Sequence, residues 1–334
     1  MHRELAHKDY ELIIQRITNA LAENYVFPET AEEMAEYMQN KFNQGGYDSI
    51  TDIQTFCRIL TDDLRHISND SHFGVIHNPE QAKAMTRRET PEERHEEADK
   101  FYWTEICKEN LGFEKLQRLH GNIGYVDIRT FVPGKEAGDI AVAAMNFLKH
   151  CNALIFDLRR NRGGAPSTLL LLASYLFNEA KHINTFYYRD TDEYEQFWTF
   201  PYIPGEKMPN IPAYILVSKQ TCSAAEEFAY DLKNMKRAII IGETTMGLAH
   251  MIKWTVVNDE IVMAVPFARP INPITNTDWE GKGVDPDIAA SFQDALKVAH
   301  IHALEHLIDV HEDDEAKSYF WSELEDAKEY YEMV

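Results

Sequence analysis

From roughly residue 9 to residue 68, apolar side chains recur at three- and four-residue intervals, the spacing of amphipathic helices. Leu12, Ile13, Ile17 and Leu21 share one such face. Pro28 opens a second segment, "ETAEEMAEYMQNKF", and Gly45 and Gly46 close it. "TDIQTFCRILTDDLRHI" forms a third, with Thr51 as its cap. Three short helices in succession predict a small bundle over residues 1–78. Residues 79–118, with "RRETPEERHEEADK", read as a charged, solvated helical linker.

The pattern changes at Gly121. "NIGYVDIRTF", "ALIFDLRR", "PAYILVS" and "RAIIIGE" have strand character, and helix-like runs such as "EAGDIAVAAMNFLKH", "STLLLLASYLF" and "EEFAYDLKNM" separate them. This alternation predicts an α/β core over residues 119–290. "NTFYYRDTDEYEQFWTF" predicts a hairpin over that core. Residues 291–334 form a helical tail, with Phe320, Leu324, Ala327, Tyr331 and Val334 on one face, expected to dock on the core of its own chain.

Composition narrows the function classes. The chain has 334 residues, 44% of them hydrophobic, enough for a sizeable core. A net charge of −22 argues against nucleic acid and anionic membranes as partners, because both repel an acidic surface. The opening segment "MHRELAHKDYELIIQRI" is charged throughout and does not read as a signal peptide. Cys57, Cys107, Cys151 and Cys222 are scattered and form no C-x-x-C pair, which predicts free thiols and a cytoplasmic location.

Chemistry concentrates at "SKQTCSAAEEF". Ser223 sits where a strand gives way to a helix, and Ser223 to Glu226 fit the S-x-x-E capping box. A hydroxyl in that position also meets the helix dipole and free N–H groups, which stabilise an oxyanion. Upstream, "DLRRNRGGAPS" runs a buried strand into Gly163 and Gly164, whose backbone can approach a developing charge. Alone, each stretch is an ordinary cap or turn.

Together, "DLRRNRGG", "TCSAAEEFAYDLK", "RAIIIGETTMG" and "NTDWEGKGVDPDI" resemble the C-terminal-processing (tail-specific) serine peptidases. The likeness is closer to the branch without a PDZ domain that holds the tricorn core protease and the repeats of interphotoreceptor retinoid-binding protein. It implies a crotonase-like catalytic core, a small N-terminal helical domain, and hydrolysis of peptide or unfolded protein substrates without cofactor or metal. The tail-specific enzymes place a lysine base in "G-E-x-T-x-G-K"; this chain reads "GETTMGLAH", and Leu248 accepts no proton. The resemblance then points to "NDSHFGVIHN", with His72 as general base and Ser223 as nucleophile. It assigns the orienting role to Ser71 and Glu280, with Asp278 as the alternative carboxylate, and the oxyanion hole to the N–H of Ala224 with that of Gly164 or Gly163. His66, His77 and His250 are weaker base candidates.

His302 and His306 lie four apart, but no H-E-x-x-H accompanies them, and a solvated helix face accounts for the pair. A catalytically inactive relative that binds an apolar ligand or peptide is the alternative. A crotonase-type enzyme acting on coenzyme A thioesters is disfavoured, because it leaves Ser223 and His72 without a role. Homo-oligomerisation is left open.

Overall fold

A computed structural model describes residues 7–86 and 106–333; the charged segment 87–105, most of the expected linker, lies outside the described residues. The chain forms two compact units that are not consecutive in sequence. The first takes residues 7–86, Thr185–Glu195 and His250–Ile271; the second takes residues 106–184, Gln196–Ala249 and residues 272–333. No helix among the described residues is long and apolar enough to cross a membrane.

In the first unit, α1 (His7–Asn24), α2 (Pro28–Asn43) and α3 (Ile53–Ser68) pack in sequence. Ile13, Ile14, Ile17 and Leu21 carry the buried face of α1, and Leu12 turns to solvent. The cap of α3 is Asp52, whose carboxylate accepts from Thr55 N at 2.8 Å, rather than Thr51. The helices bury Met34, Met38, Phe56, Leu60 and Leu64 against Phe73, Val75, Ile261, Met263 and Val265. Val75, Ile261, Met263 and Val265 belong to a five-stranded sheet built from β1 (Gly74–His77), β5 (His182–Tyr188), β6 (Glu193–Trp198), β9 (Met251–Val256) and β10 (Ile261–Ile271). Its order is β1-β10-β5-β6, and β9 lies along the other side of β10. The short helix α4 (Pro79–Thr86) packs against β9 and β10.

The second unit is a mixed α/β layer structure. Its six-stranded sheet runs β11-β8-β7-β4-β3-β2, where β2 is Phe113–Leu119, β3 Ile123–Ile128, β4 Ala153–Asp157, β7 Ala213–Val217, β8 Ile239–Gly242 and β11 Ile288–Ala289. All pairings are parallel except β2 with β3. β2 occupies residues read as linker, because its mostly polar, exposed side chains suit a sheet edge and hide the strand period. The inner strands are buried on both faces, hence their unbroken apolar runs. Leu154, Phe156, Ile215 and Val217 face α5 (Gly134–Leu148), α6 (Pro166–Ser174) and α7 (Ala224–Asn234). The alternate residues Ala153, Ile155, Tyr214 and Leu216 face α8 (Ala295–Val310) and α9 (Asp314–Met333). There α9 buries Phe320, Leu324 and Ala327; Val334 lies outside the described residues.

Candidate active site

In the second unit the carboxyl ends of β4, β7 and β8 converge on Ser223. After β7 the chain makes a tight turn: Thr221 Oγ1 donates to the Leu158 carbonyl (2.8 Å) and Ser218 Oγ to the Arg159 carbonyl (2.5 Å). Cys222 N donates to the Asn161 carbonyl at 3.2 Å. These bonds lash the segment after β7 to the one after β4. Ser223 emerges at φ +57° and ψ −130°, whereas an N-cap residue ordinarily takes the extended region. A serine in this left-handed region is strained by ~1–3 kcal/mol and persists only where its surroundings impose it. Its neighbours Cys222 and Ala224 are buried, yet Ser223 itself is exposed. The hydroxyl thus stands out from an otherwise closed turn.

Two glycines make this geometry affordable. Gly163 has φ +91°, and a Cβ there would lie 2.7 Å from the Ser223 Cβ. Gly164, at φ +132°, rests on the backbone of Phe131. Phe131 N donates to the Gly163 carbonyl (2.8 Å) and Ala165 N to the Phe131 carbonyl (2.6 Å), a parallel bridge that leaves the Gly164 N–H directed away from Phe131. Gly163 N, by contrast, donates to Asn161 Oδ1 at 2.8 Å. That bond occupies the Gly163 N–H, whereas the Gly164 N–H points away from Phe131 and the N–H of Ala224, the first residue of α7, lies outside the intrahelical ladder.

Glu226, unremarked in the sequence except as part of a cap, is the internal strut of the site. It is fully buried and accepts from Ser223 N (2.9 Å), Thr245 Oγ1 (2.5 Å), Gly247 N (2.6 Å) and Leu248 N (2.9 Å). Burial pushes its pKa up, and these four hydrogen bonds pull against it. Leu248, at the expected lysine position, contributes its backbone. Its N–H serves Glu226, and its carbonyl accepts from Trp279 Nε1 at 3.2 Å. Glu280 Oε2 accepts from Ala249 N at 2.7 Å, and Asp278 Oδ1 accepts from Glu280 N at 2.9 Å.

The first unit holds the four candidate base histidines, His66, His72, His77 and His250. Asp70 is buried between α3 and β1, and its Oδ1 accepts from His72 N (2.9 Å) and lies 3.2 Å from His72 Nδ1. Its Oδ2 lies 2.7 Å from His250 Nδ1. Burial alone would raise the Asp70 pKa; the hydrogen bonds from His250 and His72, with the charge of His250, outweigh it and hold the carboxyl well below the usual range. Within its own unit His72 is thus held by Asp70 through both its backbone N–H and its ring. Ser71 is exposed and makes no hydrogen bond among the described residues. His77 Nδ1 instead meets Gln54 Nε2 at 3.3 Å, and His66 lies beside the Tyr37 ring. His302 turns to the Tyr214 hydroxyl at 3.3 Å rather than to His306.

A serine at positive φ between a strand and a helix, beside the N–H groups of Gly164 and Ala224, suits a serine hydrolase, although the segment Thr221–Ala225 lacks the G-x-S-x-G of a nucleophile elbow. The comparisons with known proteins carry the classification further. The profile of peptidase family S41 matches residues 122–290, and that of the N-terminal domain of S41 peptidases in eukaryotic IRBP matches residues 5–106. The chain belongs to peptidase family S41, a family of serine-type hydrolases. Carboxyl-terminal-processing peptidase 2, chloroplastic, of Arabidopsis thaliana is 30% identical over 175 residues, 49% of this chain and 31% of that protein. The carboxyl-terminal-processing protease of Picosynechococcus sp. is 25% identical over 181 residues, 53% of this chain and 42% of that one. The match therefore spans less than half the length of these relatives. Among solved structures, the photosystem II D1 C-terminal processing protease shares the fold, with TM-score 0.53, 16% identity, and 84% and 93% of the two chains covered. The tricorn protease does so with TM-score 0.51 and 14% identity, over 87% of this chain and 35% of that one.

Proposed function

We propose that this protein is a serine peptidase acting on peptides or unfolded proteins, with Ser223 as nucleophile and His72 as general base. The observation that carries the reading is the exposed, left-handed Ser223 beside two N–H groups, those of Gly164 and Ala224, that no other part of its turn uses. In this reaction the Ser223 hydroxyl attacks the peptide carbonyl carbon and His72 takes its proton. The two N–H groups hold the tetrahedral oxyanion. His72 then delivers the proton to the leaving amine, and water, deprotonated by the same ring, hydrolyses the acyl-enzyme. Asp70 fixes the His72 ring, as the carboxylate of a triad does. Glu280 is a positioning residue: it holds the backbone of Ala249, immediately before His250. Among the described residues Ser71 has no side-chain partner that would support the relay expected from the resemblance.

The sheet of the second unit, whose crossover helices α5, α6 and α7 all lie on one face, suits a crotonase-like core. The four free cysteines suit a reducing, cytoplasmic compartment. A fluorophosphonate probe tests the reading directly. Ser223 is expected to label, with labelling lost in Ser223→Ala and strongly reduced in His72→Ala. A folded wild-type protein that neither labels nor cleaves unfolded casein refutes it.

A further inference from the structure

The strand β9 begins one residue after His250, and its outer edge carries no partner strand among the described residues. Three of its first four side chains are apolar and exposed: Met251 at 42%, Ile252 at 39% and Trp254 at 37%. Edge strands of soluble proteins are normally blunted by charge, proline or cover. Here the one charged side chain, Lys253, is turned to Asp190 at 3.4 Å.

The ladder shows which backbone groups face that edge. Val257 N donates to the Ile261 carbonyl at 2.9 Å, so these two form a hydrogen-bonded pair. In an antiparallel ladder such pairs alternate with pairs whose N–H and C=O point away from each other. Val256–Val262, Trp254–Ala264 and Ile252–Pro266 are pairs of the second kind. The other side of β10 agrees. Pro266 has no N–H, and its carbonyl accepts from Val26 N at 3.0 Å. Asn78 N donates to the Glu260 carbonyl at 2.8 Å, and by the same alternation Val262 and Ala264 turn toward Ile76 and Gly74 of β1. Ile252, Trp254 and Val256 therefore present their N–H and C=O groups to the open edge.

We propose that this edge is the docking strand for an extended peptide substrate, which adds to β9 by backbone hydrogen bonding and lays apolar side chains against Ile252 and Trp254. The proposal rests on the peptidase reading for the identity of its occupant. Its position supports that occupant. Ile252 is two residues, about 7 Å, from His250, so a strand paired with it runs toward the imidazoles that Asp70 holds. Backbone pairing also suits a peptidase that meets unfolded chains of many sequences, because it reads no side chain.

The test measures binding apart from catalysis. In Ser223→Ala protein, anisotropy of fluorescein-labelled overlapping casein peptides identifies a tight binder. Trp254→Pro and Trp254→Val both remove the indole, and the proline variant alone also removes an edge-facing N–H, since this residue donates nothing to β10. Binding is expected to weaken about tenfold in the proline variant relative to the valine variant. Should the proline variant misfold, N-methylation of single peptide amides against the unaltered strand gives the same information. Loss is expected at alternate positions and little change between them. The proposal is overturned if no casein peptide binds, if N-methylation shows no two-residue alternation, or if the valine and folded proline variants bind alike. It is also overturned if the proline variant changes self-association by light scattering while peptide binding holds, which would make the edge a contact between copies. Fluorophosphonate labelling of Ser223 needs no extended peptide, so its failure would strike the peptidase reading and leave alternation at the edge as a separate result.

Discussion

Glu227→Gln should make the protein more stable at alkaline pH and leave it unchanged in mild acid. Glu227 and Asp231 lie one turn apart on α7, the helix that starts at Ser223, and both are buried. Neither has a cationic partner among the described residues. Asn184 Nδ2 approaches Glu227 Oε1 at 3.4 Å, and Asn272 Nδ2 donates to Asp231 Oδ1 at 2.8 Å. Burial pushes Glu227 from the ordinary 4.5 up to about 7, against the pull of the Asn184 bond. Asp231 is also raised, by burial and by the neighbouring Glu227. Between those two pH values the native state keeps a proton that the unfolded chain has released. Stability therefore falls as pH rises through this window, and the full cost is present above the native pKa. At ~1.4 kcal/mol per pH unit, the rise to about 7 corresponds to roughly 3 kcal/mol. Glutamine keeps the shape and the acceptor oxygen but does not titrate. Urea unfolding, followed by fluorescence of the 5 tryptophans, gives both stabilities from about pH 5 to about pH 8. The variant should gain on the wild type by up to ~3 kcal/mol at the alkaline end. A difference that stays constant across the range would refute the argument that Glu227 is held protonated by burial.

Three further outcomes follow from the site. Asp70→Asn should fold normally but lose about 10³–10⁴-fold in kcat, because the amide no longer fixes the His72 ring as an acceptor; casein hydrolysis with circular dichroism as control checks this. Gly163→Ala places a Cβ against Ser223 and should cost about 10²-fold in kcat through displacement of the nucleophile, read by the rate of fluorophosphonate labelling. Glu226→Gln replaces an acceptor by a donor among four donors and should destabilise by about 2–4 kcal/mol, measured by urea unfolding near neutral pH.

Much of this protein follows from local chemistry. The period of Ile13, Ile17 and Leu21, the cap-like "SAAE" and the apolar runs "ALIF" and "YILV" are short-range signals, and helices and buried strands form where they predict. Ser223, Gly163 and Gly164 were legible because strand, turn, paired glycines and helix are written consecutively. Other features depend on partners distant in sequence. Asp70, two residues before His72, looks like any turn aspartate until His250 is folded onto its other oxygen, 180 residues away. Glu226 reads as half of a capping box, and only the return of Thr245 to Leu248 shows it tying that loop to the start of α7. Asn161 looks like loop filler, and its bond to the Gly163 N–H is what distinguishes the two adjacent glycines. Sequence by itself determined the elements and the strand–turn–helix that exposes Ser223, since both are set by residues within a few positions of each other. The tertiary structure alone decided which groups the buried carboxylates bind, and which strand edge has no partner strand among the described residues, because hydrogen bonds between remote segments carry no local period.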